Sequence, residues 1–128
     1  MTAVLLDTSV LIAADPVPPG LTAAISVVSI AELHFGVLLA RDDDERARRV
    51  QRLGLIEARF SEPLPIDDRV AREWGGLLAA ARNRGAKARH RHADLAIAAT
   101  ARVHGVPLLT RNLKDFAVVD DLIDVRTP

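Results

Sequence analysis

The stretch that most constrains this chain is Ala3-Val4-Leu5-Leu6-Asp7-Thr8-Ser9, at its start. A short apolar run closed by a polar cluster reads as a strand buried on both faces, with a carboxylate at its carboxyl end. Such strands belong to parallel sheets covered by helices, where ligands sit outside the carboxyl ends of the strands. Asp7 is therefore placed to hold something.

The remaining chain alternates in the same way. Thr8 to Ala14 reads as a short helix, stopped by Asp15-Pro16 and the breaker run that ends at Gly20. Ala24 to Val28 reads as a second strand. Ser29 then opens a helix to about Arg41, with Ile30, Leu33, Val37 and Leu38 on one face and Gly36 at a close helix approach. Asp42 to Glu45 suit the first turn of the next helix, where the dipole favours negative charge. That helix has Ala47, Val50, Leu53 and Gly54 as its apolar side, and Arg46, Arg48, Arg49 and Arg52 as a solvated face.

Pro63-Leu64-Pro65-Ile66 reads as an extended segment at a sheet edge, because proline cannot donate to a ladder. Asp67 and Asp68 begin a helix with Val70, Trp74, Leu77, Leu78 and Ala81 on one side. Ala93 to Ala101 is a helix apolar on nearly every side, hence buried, and Gly105 suits the cap position after it. Val106 to Leu109 and about Leu122 to Val125 read as further strands. The class is α/β, a single domain over residues 1–128 with a parallel sheet.

Composition narrows the chemistry. There is no Cys, which excludes disulfides, thiolate metal sites and a Cys nucleophile, and favours an intracellular setting. Asp7 and Asp15 interrupt the apolar residues of the N-terminus, and no uncharged run is long enough to cross a bilayer, so a cytoplasmic protein with no membrane partner is expected. Lys plus Arg balances Asp plus Glu, but residues 82–92 hold five Lys or Arg, two His and no acid. Of these Arg82, Arg84, Lys87, Arg89 and Arg91, together with Arg111, are the candidate contacts to a phosphate backbone; a solvated surface is the alternative. His90 and His92 read as surface polar residues.

Four acids stand at strand-to-helix junctions or first helical turns: Asp7, Glu32, Asp94 and Asp115. Each has a local explanation. Asp7 can cap the first helix, Ser29-x-x-Glu32 fits a capping box, Asp94 can serve its helix dipole, and Asp115 can be a turn residue. Together they fall at one edge of the sheet, and Asp94 opens the most apolar helix of the chain. Clustered carboxylates raise one another's pKa, and a divalent cation relieves that repulsion. Oxygen ligands alone suit Mg²⁺ or Mn²⁺, ions that serve phosphoryl transfer.

Val-Leu-Leu-Asp7-Thr-Ser, Ser29-Ile-Ala-Glu32-Leu-His-Phe-Gly36, Ala93-Asp94-Leu-Ala-Ile-Ala-Ala-Thr-Ala and Leu-Leu-Thr110-Arg-Asn112-Leu-Lys-Asp115-Phe116 resemble, in order, the four motif blocks of PIN-domain proteins, above all the VapC-type toxins of toxin-antitoxin pairs. The resemblance implies a five-stranded parallel sheet flanked by helices. It also implies a Mg²⁺- or Mn²⁺-dependent endoribonuclease that hydrolyses RNA with metal-activated water, leaving a 5′-phosphate and a 3′-hydroxyl. By motif, Asp7, Glu32 and Asp94 are metal ligands, and Thr8 and Thr110 orient water or a ligand carboxylate. Where many members carry a fourth Asp this chain has Asn112, with Asp115 three residues later; Asp115 is taken as the fourth acid and Asn112 as a supporting group. A VapB-type antitoxin and a homodimer are the partners implied.

Two other functions stay open. A non-catalytic module binding RNA or a partner could keep the fold, with Asn112 weakening the metal site. A phosphatase using Asp7 as nucleophile is disfavoured, because its signature has a second Asp where this chain has Ser9.

Overall fold

A computed structural model describes residues 3–87 and 91–128. Its centre is a parallel sheet of β1 (Ala3–Leu6), β2 (Thr22–Ala24), β3 (Leu108–Leu109) and β4 (Val125–Arg126), in the order β2-β1-β3-β4. Leu5 pairs with Ala24 on one side and Leu108 on the other, and Leu108 in turn with Val125. The chain goes from β1 to one neighbour and later returns to the other side, so the order reverses between β1 and β3. A crevice at that reversal is where open sheets of this kind bind ligands.

Among the described residues five helices and a 3-10 helix cover the sheet: α1 (Thr8–Ala13), α2 (Val27–Leu38), α3 (Asp43–Arg59), α4 (Asp68–Asn83), α5 (His92–His104) and the 3-10 helix Leu113–Val119. Alternation along β1 sorts them into two layers. Leu5 faces a core with Val70 and Leu77 of α4, Leu95 and Ile97 of α5, and Phe116. Val4 and Leu6 face the other, with Val10 and Leu11 of α1, Leu33 of α2, and Leu53 and Ile56 of α3. The expected burial of α5 holds: every residue from Leu95 to Ala101 is buried. Gly105 ends it in the left-handed region, at φ 65°.

Among the described residues the sheet has four strands, not five. Pro63–Ile66 touches the edge of β2's extension through one bridge, Leu64 to Ser26, in which Leu64 N donates to Ile25 O and its carbonyl accepts from Val27 N. The prolines on either side have no N–H, so the ladder stops there. The second strand ends at Ala24 rather than Val28, because Ser26 already caps α2 by accepting from Val28 N at 3.0 Å. The last strand is Val125–Arg126, later than expected.

On α3, Leu53 is buried but Ala47, Val50 and Gly54 are exposed, and Ile56 completes the buried side instead. The arginine face is not wholly solvated either: Arg49 reaches the carbonyl of Gly36 and pairs with Glu45, and Arg46 donates to the carbonyl of Ala40. A Cβ on Gly36 would meet only Arg49 Nη1, at an ordinary 3.9 Å, so that glycine marks no close helix approach. No described helix is long and apolar enough to cross a membrane.

Candidate active site at the carboxyl edge of the sheet

Asp7 leaves the end of β1 at the reversal point and is buried. It occupies the N-cap position of α1, yet its side chain makes no cap hydrogen bond. Its Oδ2 instead accepts from Ser9 Oγ at 2.7 Å and from Thr110 Oγ1, at the end of β3, at 2.8 Å. The capping explanation therefore fails for Asp7. Both bonds fall on one oxygen, which leaves Oδ1 to face other groups.

Thr8 does the same for Glu32. Its hydroxyl donates to Glu32 Oε1 at 2.7 Å and lies 2.8 Å from Ser29 Oγ. Ser29 is thus not the cap of α2 but a buried residue one turn before Glu32, and the capping box is replaced by a Ser29-Thr8-Glu32 chain. Burial pushes Glu32 above its ordinary pKa, the Thr8 bond opposes that, and the charge of Asp7 adds to the rise.

Asp94 stands in the first turn of α5. Burial, and then the charges of Asp7, Glu32 and Asp115, push its carboxyl up to about 7; Arg91 pulls the other way. All three other acids act on Asp94, which marks the four as one electrostatic cluster. Asp115 sits at the edge, with Arg91 Nη1 3.4 Å from its Oδ1. Asn112 is exposed, and its contribution is through the backbone: its N–H donates to Thr110 Oγ1 at 3.1 Å and its carbonyl accepts from Asp115 N–H at 2.9 Å.

The basic candidates divide. Arg91 joins the acids, whereas Arg84 is held in a bidentate pair with Asp121 and donates to the carbonyl of Val118 at 2.7 Å. Arg82 and Lys87 are exposed, and Arg89 and His90 lie outside the described residues. Arg111 donates its N–H to Ser9 Oγ at 3.1 Å, but its side chain turns to Asp15, 3.6 Å away.

Ser9 and Ser29 join the site beyond the residues the motifs imply. Their spacing carries the signal: Ser9 follows Asp7 by two positions, and Ser29 precedes Glu32 by three, on the same helix face. Among the described residues no group of three or more His, Cys, Asp or Glu side chains is arranged to hold a metal ion as it stands. The donor set nevertheless fits a hard divalent cation, since it is all oxygen and its repulsion is expressed in the proton affinity of Asp94.

Comparison with known proteins agrees with this geometry. The family model described as PIN domain matches residues 4–122. Ribonuclease VapC4 of Mycobacterium tuberculosis is 41% identical over 98 residues, covering 77% of this chain and 72% of that protein. Ribonuclease VapC5 of the same organism is 37% identical over 128 residues, covering 94% and 90%. The crystal structure of VapBC-5, a toxin-antitoxin system of Mycobacterium tuberculosis, superposes with a TM-score of 0.80 at 37% identity, over 99% of this chain and 98% of that one. FitAcB from Neisseria gonorrhoeae gives 0.74 at 28% identity, over 98% and 97%. With the family model spanning nearly all of it, the chain belongs to the PIN-domain family, among its VapC-type members.

Proposed function

We propose that the protein is a Mg²⁺- or Mn²⁺-dependent endoribonuclease, the toxin of a toxin-antitoxin pair, acting in the cytoplasm and cutting RNA to leave a 5′-phosphate and a 3′-hydroxyl. The observation that carries this reading is geometric: Asp7 at the end of β1, Glu32 on α2, Asp94 in the first turn of α5 and Asp115 beside Arg91 meet at one edge of the sheet, with Asp7 and Glu32 each held by hydroxyl hydrogen bonds. Carboxylates gathered at the reversal point of a parallel sheet repel one another and are suited to gathering positive charge.

Asp7, Glu32, Asp94 and Asp115 would hold the cation, which would supply the missing counter-charge and a Lewis acid for hydrolysis of a phosphodiester. Ser9 and Thr110 fix Asp7 by one oxygen, and Thr8 fixes Glu32 by one, so each acid presents its other oxygen in a set direction. Such supporting hydrogen bonds orient ligands. Without a counter-charge, burial and the charges of the other three acids push the Asp94 carboxyl up to about 7. Asn112 orients Thr110 and Asp115 through its backbone.

The relatives named ribonucleases, and the VapBC complex that matches over nearly the whole chain, support an RNA substrate and a VapB-type antitoxin. A homodimer is part of the same reading. Purified protein freed of any partner is incubated with structured RNA in Mg²⁺, Mn²⁺ or EDTA, beside Asp7→Ala and Asp94→Ala. Cleavage is expected only with metal and only in the wild type. RNA binding without cleavage under every condition would favour a non-catalytic module instead.

A further inference from the structure

The chain has seventeen basic residues, of which only two are lysines, Lys87 and Lys114. They are 27 positions apart in sequence, one after α4 and one in the 3-10 helix, yet both line a single cleft of about 470 Å³. Its other basic walls are Arg84 and Arg91, with Ala117 and Val118 as apolar surface and no acid among the lining residues.

The four cations are not equivalent. Arg84 is committed to Asp121 and the Val118 carbonyl, so it braces the cleft wall. Arg91 faces two ways: its Nη1 lies 3.4 Å from Asp115 Oδ1 and 3.4 Å from the carbonyl of Lys114. Since Asp115 acts on Asp94, Arg91 is where the cleft meets the acid cluster. Lys87 and Lys114 are exposed and enter no ion pair among the described residues, in contrast to Arg84 and Arg91.

We propose that Lys87, Arg91 and Lys114 bind the backbone phosphate of an RNA strand next to the bond being cut, and that this cleft delivers the strand to the four acids. The inference rests on the ribonuclease reading and adds to it a route for the substrate and Lys114 as a positioning residue. Lysine is a compact, flexible point charge that follows a phosphate chain without demanding a planar partner. Apolar surface at Ala117 and Val118 leaves room for a ribose or base between the charges. An acidic peptide is the other ligand such a cleft could attract. Continuity with the carboxylates through Arg91 favours RNA, because a strand must pass from cations to acids to be cut.

Having two lysines makes the test selective. An amine-acylating reagent is applied to the whole protein in EDTA, where cleavage is prevented, with and without a short single-stranded poly(U). Acylation at Lys87 and Lys114 is read by mass spectrometry, with a free lysine-containing peptide in the same tube as internal control. Both lysines should be protected by RNA and the control peptide should not. In parallel, Lys87→Ala and Lys114→Ala should each lower the slope of log affinity against log salt by about 0.7. With cleavable RNA and Mn²⁺, each should raise KM with little change in kcat, which a merely structural defect would not do.

Labelling of both lysines at an unchanged rate under saturating RNA overturns the cleft. If the wild type still cleaves, the ribonuclease reading survives that result. Protection by an acidic peptide but not by RNA also overturns it. Failure of the wild type both to bind and to cut RNA removes the two readings together.

Discussion

Thr110 and Asp7 are 103 positions apart in sequence, and the hydroxyl of one donates to the carboxylate of the other at 2.8 Å, both buried. The bond joins the ends of β3 and β1 across the reversal of the sheet. It explains why Asp7 is withheld from capping α1, and it ties the acid cluster to the pairing of the two inner strands.

Thr110→Val removes the hydroxyl and keeps the shape. Asp7 then loses one of its two Oδ2 partners while the groups stay buried, at a cost of about 1–3 kcal/mol in urea unfolding. Metal affinity or cleavage should fall about 10- to 100-fold, as for other groups that orient a ligand. Thr110→Ser should retain most of both. Equal stability and activity in the valine variant would show that Ser9 alone suffices to hold Asp7.

Stability of the metal-free protein should depend on pH through Asp94. Its ordinary pKa is 3.8 and burial with like charges pushes it to about 7 in the folded state. Between those values the folded state binds more protons than the unfolded one, so unfolding free energy falls as pH rises across that window. Glu32, also raised, acts in the same sense. Urea melts in EDTA from pH 4 to about 8 should show the decline, and Asp94→Asn should flatten it. Mn²⁺ should restore stability most at the alkaline end, since it binds only the folded cluster. A curve that is flat in the wild type would mean the acids are screened from one another.

Two serines separate capping from site support. Ser26→Ala should cost about 1 kcal/mol, the usual value of a lost N-cap, with cleavage kept. Ser29→Ala should leave the helix start intact and act on Glu32 through Thr8. Its effect should appear as weakened metal binding in a calorimetric titration. The reverse pattern would place the cap at Ser29 after all.

Gly105→Ala tests the end of α5. At φ 65° an added Cβ is strained, although no neighbouring atom stands within 4 Å of it. Thermal unfolding should therefore show a loss of about 1 kcal/mol. The loss should be the same in EDTA and Mn²⁺, because the cap stands at the opposite end of α5 from Asp94.

Much of the site could be read from the residues because its signals are local. Asp7 ends an apolar strand and Asp94 interrupts an apolar helix, and each is out of place unless something compensates its burial. The five strands expected were harder to judge. Leu64 has the apolar character of a strand residue, but Pro63 and Pro65 limit it to one bridge, a matter of ladder partners rather than composition. Ser26 and Ser29 offer the same hydroxyl three residues apart, and only the position of Thr8 against Ser29 decides which one caps the helix.

By itself the sequence determined the alternation of strands and helices, the all-round burial of α5 and the four acids of the motif blocks. These follow from periodicity, caps and turn residues, which act over a few positions of chain. Only the tertiary structure decided that Ser9 and Thr110 share Asp7 Oδ2, that burial and the charges of three other acids push the Asp94 carboxyl up to about 7, and that the two lysines share a cleft. Those depend on distances between residues remote in sequence and on exclusion of water from between them, quantities that exist only once both layers have closed on the sheet.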